Sequence, residues 1–173
     1  MPELPEVETV RRGLVKLVKG YTITAAHDLH PRALKPESIA PLRSINGAKI
    51  IDLKRRGKFL WFVLDRPQVL VAHLGMSGQM LLRKANQPED KLTRVVIHLK
   101  TARGKEVEFR FIDQRIFGSL AIDEMQPTAD GKPGGFSAGV GKGKPWQNLI
   151  PIQAAHITRD PLDQDFDEAV VLS

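Results

Sequence analysis

Residues 49–74 decide the fold class, and their sequence is KIIDLKRRGKFLWFVLDRPQVLVAHL. The stretch contains three runs of β-branched, aromatic and aliphatic residues, at positions 49–54, 58–64 and 69–74. Turn-forming residues separate the runs, with glycine at position 57 and Asp-Arg-Pro-Gln at 65–68. Such runs are typical of β-strands, because these side chains pack well on a pleated surface.

Strand-like segments continue on both sides of this stretch. They occupy residues 21–26, 79–83, 93–100 and 107–112, and a Thr-Ala-Arg-Gly turn at 101–104 joins the last two. Short strands that follow one another without intervening helices predict a mainly β fold, an antiparallel sandwich or barrel. Prolines at 31, 36 and 41 mark a loop with room for a short helix at residues 36–42.

The amino-terminal segment predicts a helix over residues 5–19. Val7, Val10 and Leu14 follow the three-and-four spacing of one apolar helix face, and Gly20 is a suitable terminator. We expect this face to anchor the helix on the body of the domain. The residues just before the helix are then held in a fixed place.

Composition suits one domain with a tail. The chain has 173 residues, of which 42% are apolar, and its net charge is +6. Residues 1–58 carry 12 Lys and Arg against 6 Asp and Glu, whereas residues 156–173 carry one arginine against five acidic side chains. A basic front half is typical of phosphate binding, although an ordinary solvated surface has the same composition.

Several classes of protein are excluded or disfavoured. The chain has no cysteine, which excludes disulfides and thiolate zinc sites within it. It has no apolar run long enough to span a bilayer and no secretory signal, so we expect a cytoplasmic protein without membrane contact.

We predict a domain at 1–155 with a flexible Gly-rich insertion at 128–146, after which residues 149–152 return to the sheet. Residues 156–173 are predicted to be an acidic linker.

The first residues of the chain have side chains and a terminal amine that could take part in a reaction. If Met1 is removed, Pro2 presents a secondary amine beside the carboxylic acid of Glu3. An α-amine has an ordinary pKa of about 7.7 to 8.0, so part of it is a neutral nucleophile at physiological pH. Condensation of a secondary amine with an aldehyde carbon gives a charged iminium, which is an electron sink. Proline and acids also suit the first turn of any helix, and that alternative stays open on the opening alone.

Four blocks of sequence resemble formamidopyrimidine-DNA glycosylase, the bacterial enzyme that removes oxidised purines and nicks the strand. They are the opening at 2–13, Arg-Arg-Gly-Lys at 55–58, His-Leu-Gly-Met-Ser-Gly at 73–78 and Asp-Gln-Arg-Ile-Phe-Gly at 113–118, in the family's order. The related endonuclease VIII family has glycine where this chain has Leu4, so the purine-repair family is preferred. The resemblance implies a two-layered antiparallel β-sandwich with an amino-terminal helix packed against it.

The resemblance implies a catalytic group of three residues. Pro2 would attack C1′ of an extruded nucleotide and form a Schiff base that undergoes β- and δ-elimination, and Glu3 would be the general acid. Lys58 would contact the phosphates that flank the lesion. An exposed lysine before a sheet edge is the alternative explanation of Lys58.

Five further residues are implied to bind DNA. Met76, Arg115 and Phe117 would fill the void left by the flipped nucleotide, although Met76 and Phe117 taken singly are more often core residues. Glu6 would be a second acid near the lesion pocket, with helix capping as the alternative, and His73 lies in the same motif as Met76. A DNA-contacting histidine of many members is replaced near Leu92.

The resemblance also sets expectations for cofactors and partners. The family continues into a helix-two-turn-helix domain and a four-cysteine zinc finger that are absent from this sequence, so the chain reads as an amino-terminal portion with no metal or other cofactor. The expected partner is double-stranded DNA containing oxidised purines or abasic sites, bound by a monomer. The rival hypothesis is a non-catalytic basic β-sandwich that binds nucleic acid.

Overall fold

The structure, a computed structural model, describes residues 4–75, 78–85, 87–113, 118–128 and 149–154. One helix and nine strands occur in this part of the chain. In order they are α1 (Leu4–Val18), β1 (Thr22–Asp28), β2 (Ile50–Arg56), β3 (Phe59–Leu64), β4 (Gln68–His73), β5 (Gln79–Lys84), β6 (Thr93–Lys100), β7 (Glu106–Ile112), β8 (Ser119–Pro127) and β9 (Leu149–Pro151). Two short 3₁₀ helices, Leu42–Ile45 and Ile152–Ala154, complete the set.

The strands form two antiparallel sheets. One sheet has four strands in the order β1-β6-β7-β5, and the other has five in the order β2-β3-β4-β8-β9. The predicted β-sandwich with an amino-terminal helix is therefore confirmed. The seven predicted strands match β1 to β7 closely in their bounds, as does the helix, and residues 149–151 return to the sheet as expected.

The main core lies between the two sheets. Leu60 and Phe62 of β3 face it from one side, and Ile97 and Phe109 face it from the other. The rings of Phe62 and Phe109 meet edge to face, with 5.6 Å between their centres. The apolar face of α1 closes this core, because Val7, Leu14 and Val18 are all buried in it.

The opposite face of the five-stranded sheet is also buried. Its centre is Trp61, which is fully buried, and Ile150 and Ala154 from the last described segment pack in the same cluster. Strands covered on both faces need apolar side chains in every position, which explains the unbroken run from Phe59 to Leu64. The remaining members of this cluster are Val63, Val69 and Val71.

The loop between β1 and β2 differs from the prediction. Residues 36–42 do not form a helix, and the only helical turn nearby is the 3₁₀ helix at Leu42–Ile45. Residues 33–39 instead lie along the edge of β8, where Lys35 N–H donates to Leu120 O at 2.9 Å and Ile39 N–H donates to Ile122 O at 3.0 Å. Proline at positions 36 and 41 favours this extended course, since proline lacks an N–H for a helix.

Other predictions fall on residues that the structure does not describe. The Gly-rich insertion at 128–146 lies outside the described residues apart from Thr128, and the linker at 156–173 lies entirely outside them. The described helix is too short to cross a membrane. No group of three metal-ligating side chains occurs among the described residues.

Candidate nucleic-acid interface

Helix α1 runs antiparallel to β2, and this direction places its start. Gly20, just after the helix, donates its N–H to Ile50 O at 2.8 Å. Further towards the helix start, Arg11 Nη1 donates to Leu53 O at 3.2 Å, and Glu8 bonds Arg55. The amino-terminal end of α1 therefore points to the end of the five-stranded sheet where β2 turns into β3.

A buried ion cluster fixes that end of the helix. Glu8 Oε1 accepts hydrogen bonds from Arg11 Nε and Arg55 Nε, both at 2.8 Å, and its Oε2 accepts from Arg11 Nη2 at 2.8 Å and Arg12 Nε at 2.7 Å. Burial raises the pKa of Glu8, but the hydrogen bonds from Arg11 and Arg55 outweigh it and hold the pKa below its ordinary value. Glu8 is thus an ionised, buried anchor between α1 and β2.

Arg55 carries the connection on to Lys58. Its Nη1 donates to Gly57 O at 3.1 Å, while its Nε bonds Glu8. Gly57 has a φ of 59°, a left-handed conformation that suits glycine, and it forms the β2–β3 turn together with Lys58. One guanidinium therefore joins the first turns of α1 to the turn that presents Lys58.

His73 lies at the same end of the sheet. It pairs with Phe59 across β3 and β4, and the two rings meet edge to face at 4.9 Å. Burial lowers the pKa of His73, and the positive charges of Lys35 and Lys58 lower it further. His73 Nδ1 accepts a hydrogen bond from Gly75 N–H at 3.0 Å, so the neutral ring carries its proton on Nε2.

Two glycine-bounded loops meet beside His73. Gly78 N–H donates to Leu74 O at 2.8 Å and closes the first loop, while Gly118 N–H donates to the buried Asp113 Oδ2 at 2.7 Å and closes the second. A Cβ on Gly118 would lie 2.7 Å from Leu74 O and 2.8 Å from His73 O. The ends of the two loops are therefore in direct contact.

The chain matches a known protein family over most of its length. The family model described as formamidopyrimidine-DNA glycosylase N-terminal domain matches residues 1–120. The chain belongs to the formamidopyrimidine-DNA glycosylase family. The preference for this family over endonuclease VIII is thereby confirmed.

Full-length relatives of the family are considerably longer. The chain is 43% identical over 178 residues to the formamidopyrimidine-DNA glycosylase of Kineococcus radiotolerans, and the match covers 98% of this chain and 56% of that protein. The corresponding protein of Leifsonia xyli is 43% identical over 176 residues, with 98% and 56% covered. The chain thus spans about half the length of the curated relatives it matches.

Solved structures of the family share the fold. The Lactococcus lactis Fpg in complex with DNA containing an abasic site is 29% identical, with a TM-score of 0.64 over 71% of this chain and 44% of that one. The complex of Lactococcus lactis Fpg with FAPY-dG containing DNA is 29% identical, with a TM-score of 0.61 over 69% and 43% of the two chains.

The described residues contain two of the predicted site side chains. Lys58 and His73 lie at one end of the five-stranded sheet, and the positive charge of Lys58 acts on the His73 ring. Glu6 lies in the first turn of α1, which is also where a capping role would place it. Five of the predicted residues lie outside the described ones: Pro2, Glu3, Met76, Arg115 and Phe117.

The loops that carry three of those residues are nevertheless bracketed by described residues. Met76 falls between Gly75 and Gly78, and the stretch with Arg115 and Phe117 falls between Asp113 and Gly118. All four bracketing residues lie at the His73 end of the sheet.

Lys35 belongs to the same cluster, although the sequence analysis did not select it. Its Nζ lies 5.5 Å from the centre of the Phe59 ring, and its charge acts on His73. Lys35 sits in an irregular loop, so no periodic pattern marks it. The pairing of residues 33–39 with β8 brings it to the site.

Leu92 lies just before β6, near the point where the resemblance implies that a DNA-contacting histidine is replaced. It has a φ of 67° and is 37% exposed, and its carbonyl accepts a hydrogen bond from Asp113 N–H at 3.2 Å. A non-glycine residue in this left-handed region carries backbone strain. The strained position therefore adjoins the loop that follows Asp113.

Proposed function

We propose that the chain is the catalytic amino-terminal domain of a bifunctional DNA glycosylase and abasic-site lyase of base-excision repair. The supporting observation is that Arg55 bonds both Glu8 of α1 and the turn of Lys58. The start of α1 therefore lies at the sheet end that carries Lys58, His73 and the two glycine-bounded loops, where this proposal puts the amine that precedes it. The domain is proposed to cover residues 1–155, with 156–173 as a linker.

In this mechanism the nucleophile is the amine of Pro2, freed by removal of Met1. Its nitrogen attacks C1′ of the damaged nucleotide, the bond from C1′ to the base breaks, and the base leaves with a proton. Glu3 donates a proton to the ring oxygen, so the sugar opens and the C1′–nitrogen bond becomes an iminium. Loss of a proton from C2′ sends an electron pair to the iminium, and the resulting enamine expels the 3′ phosphate. Loss of a proton from C4′ then sends a second electron pair into the conjugated iminium, and the 5′ phosphate leaves. Water hydrolyses the iminium and frees Pro2.

DNA binding in this proposal is divided between phosphates and the gap in the base stack. Lys58 and the Nε2–H of His73 hold phosphate oxygens, as a cation and a neutral donor do at nucleic-acid interfaces. The nucleotide must leave the stack, because C1′ is shielded inside a duplex. Met76, Phe117 and Arg115 fill the gap, the first two as apolar wedges and the third as a donor to the opposite base, with Glu6 near the lesion pocket.

The proposed substrates are 8-oxoguanine and formamidopyrimidine lesions and abasic sites in duplex DNA. The names of the relatives and the DNA complexes of the Lactococcus lactis protein support the formamidopyrimidine lesions and the abasic sites, and 8-oxoguanine follows from the resemblance alone. We infer a monomer that acts in the cytoplasm, where bacterial DNA lies.

Borohydride trapping on abasic-site DNA tests the proposal. A reducible iminium to Pro2 gives a stable covalent adduct, and Pro2→Gly is expected to reduce its rate of formation at least tenfold, because glycine supplies a primary amine in a different geometry. Pro67→Gly, in the β3–β4 turn at the opposite end of the sheet, is the matched control and is expected to trap like the wild type.

Intact mass spectrometry should accompany this measurement, because a retained Met1 turns the Pro2 nitrogen into an amide. Binding of the abasic duplex without any adduct from the processed protein would contradict the catalytic assignment. That result would favour the rival hypothesis, a non-catalytic nucleic-acid-binding module.

A further inference from the structure

Lys35 is held rigidly at the candidate site by its backbone. Its N–H donates to Leu120 O at 2.9 Å, and its carbonyl accepts from Ser38 N–H at 3.0 Å. Leu34 forms a parallel bridge to Leu120, the second residue of β8. β8 begins opposite His73, so the position of Lys35 is set by the same sheet that positions His73.

The side chain of Lys35 shares one aromatic ring with His73. Its Nζ and the His73 ring centre both lie within 5.5 Å of the centre of Phe59, the residue that follows Lys58. A cation over an aromatic face is attracted to the ring, and this attraction orders its side chain. Within the described part of the chain, Lys35 forms no ion pair with a carboxylate.

We propose that Lys35 is a DNA-binding residue that contacts a phosphate next to the one held by Lys58 and His73 on the same strand. Phosphates along one strand follow each other at about 3.4 Å of helix rise, so cationic and donor side chains gathered around the Phe59 ring can face neighbouring phosphates. Two lysines and a neutral Nε2–H donor on one side supply charge and hydrogen bonds for adjacent phosphates. Lys35 and Lys58 both lower the pKa of His73 through their positive charges, which shows that the two cations lie close to this ring and agrees with such an anion site.

This inference rests on the proposed function, because it assumes that the Lys58 end of the sheet faces DNA. It adds a third phosphate contact, supplied by the loop between β1 and β2. A phosphate contact carries no base information. The contribution of Lys35 is therefore expected to be equal for damaged and undamaged duplexes.

The test is the salt dependence of DNA binding by the chain and two lysine variants. The affinity for a duplex with a stable abasic-site analogue is measured from about 20 to 200 mM salt. Each lost phosphate contact reduces the slope of log K against log salt by about 0.9. Lys35→Gln is expected to show that reduction, with about tenfold weaker binding at low salt.

Lys49→Gln is the matched control, because Lys49 is exposed just before β2, at the opposite end of the sheet from Lys58. It removes the same charge and should leave the slope unchanged. Lys35→Arg keeps a cation at the site and should restore the wild-type slope. Equal thermal midpoints of the variants would show that folding is unaffected.

The outcomes separate this inference from the proposed function. If the wild type binds and is trapped by borohydride, but Lys35→Gln has the same slope as Lys49→Gln, Lys35 is not a phosphate contact. If Lys35→Arg loses as much as Lys35→Gln, the effect is structural and the inference is wrong. If the wild type neither binds nor traps, the proposed function fails and this inference fails with it.

Discussion

Glu8 shows how much of the site depends on a single side chain. It is 3% exposed and receives four hydrogen bonds from three arginines, two of which are themselves buried. A buried carboxylate is tolerated only when its charge is compensated and its lone pairs are used. The motif at 2–13 includes Glu8, but the role of Glu8 as an anchor depends on Arg55, which is 47 positions away.

Glu8→Gln is therefore expected to destabilise the fold by about 3 to 5 kcal/mol, because it leaves Arg11 and Arg55 buried without this carboxylate. Urea unfolding at pH 7 measures the change in the free energy of unfolding. Glu106→Gln removes the same charge from an exposed position at the start of β7 and should change that free energy by less than about 0.5 kcal/mol. Equal effects of the two substitutions would show that the cluster adds no stability.

Glu8→Gln also tests how the free energy of unfolding depends on pH. The pKa of Glu8 is lower in the folded protein than in the unfolded chain, where it is about 4.3. Its stabilising effect is complete above that value and is lost as the pH falls through the lower folded pKa, because the unfolded state then binds more protons. The stability difference between wild type and Glu8→Gln should thus shrink below about pH 4.3, and a constant difference down to pH 2 would contradict the assignment.

At the scale of elements, the strands with clear patterns were predictable and those defined by distant contacts were not. β3 and β4 are predictable because each contains a run of aromatic and branched residues. β8 was not predicted, because only Leu120, Ala121 and Ile122 are apolar before Asp123, and a run that short does not distinguish a strand from a loop. The extended course of residues 33–39, and with it the place of Lys35, exists only because β8 offers an edge.

The contact between the two glycine-bounded loops gives a prediction at this scale. In Gly118→Ala the new methyl group would meet Leu74 O at 2.7 Å, His73 O at 2.8 Å and Phe111 Cζ at 2.8 Å, so backbone must move. We expect a loss of about 1 to 3 kcal/mol in the free energy of unfolding. Displaced loop ends should also slow borohydride trapping.

Gly13→Ala provides the control for Gly118→Ala. Nothing lies within 4 Å of a Cβ at Gly13, which is exposed in the middle of α1. Alanine is the better helix former, so this variant should gain roughly 0.5 to 1 kcal/mol. A tolerated alanine at position 118, with unchanged stability and trapping, would show that the loops do not need this close approach.

For the whole molecule, the sequence could establish the family and the sandwich, since these are carried by local motifs and strand patterns, whereas the site residues that it implies stay predictions. It could not establish how the sheet end is assembled, because α1, the Lys58 turn, the loops and the β1–β2 segment are separated in sequence and meet only through long-range pairing. The basic front half and the shared sheet end are both consistent with the DNA-facing side that is proposed above.

The chain spans about half of its full-length relatives, which sets an expectation for its activity on its own. Part of the binding energy that supports catalysis comes from groups remote from the reacting bond. We expect weak, strongly salt-sensitive duplex binding, and excision of 8-oxoguanine slower than that of the Kineococcus radiotolerans protein on the order of a hundredfold or more. Parallel single-turnover assays at low salt measure this, and comparable rates would refute the expectation.

The bond between Glu8 and Arg55 has a consequence for protein synthesis. The two residues are 47 positions apart, and a ribosome adding about 5 to 20 residues per second needs roughly 2 to 9 s to get from one to the other. During that interval the nascent helix has no partner that fixes its orientation. The start of α1 is therefore held beside the turn of Lys58 only after Arg55 has been synthesised and β2 has formed.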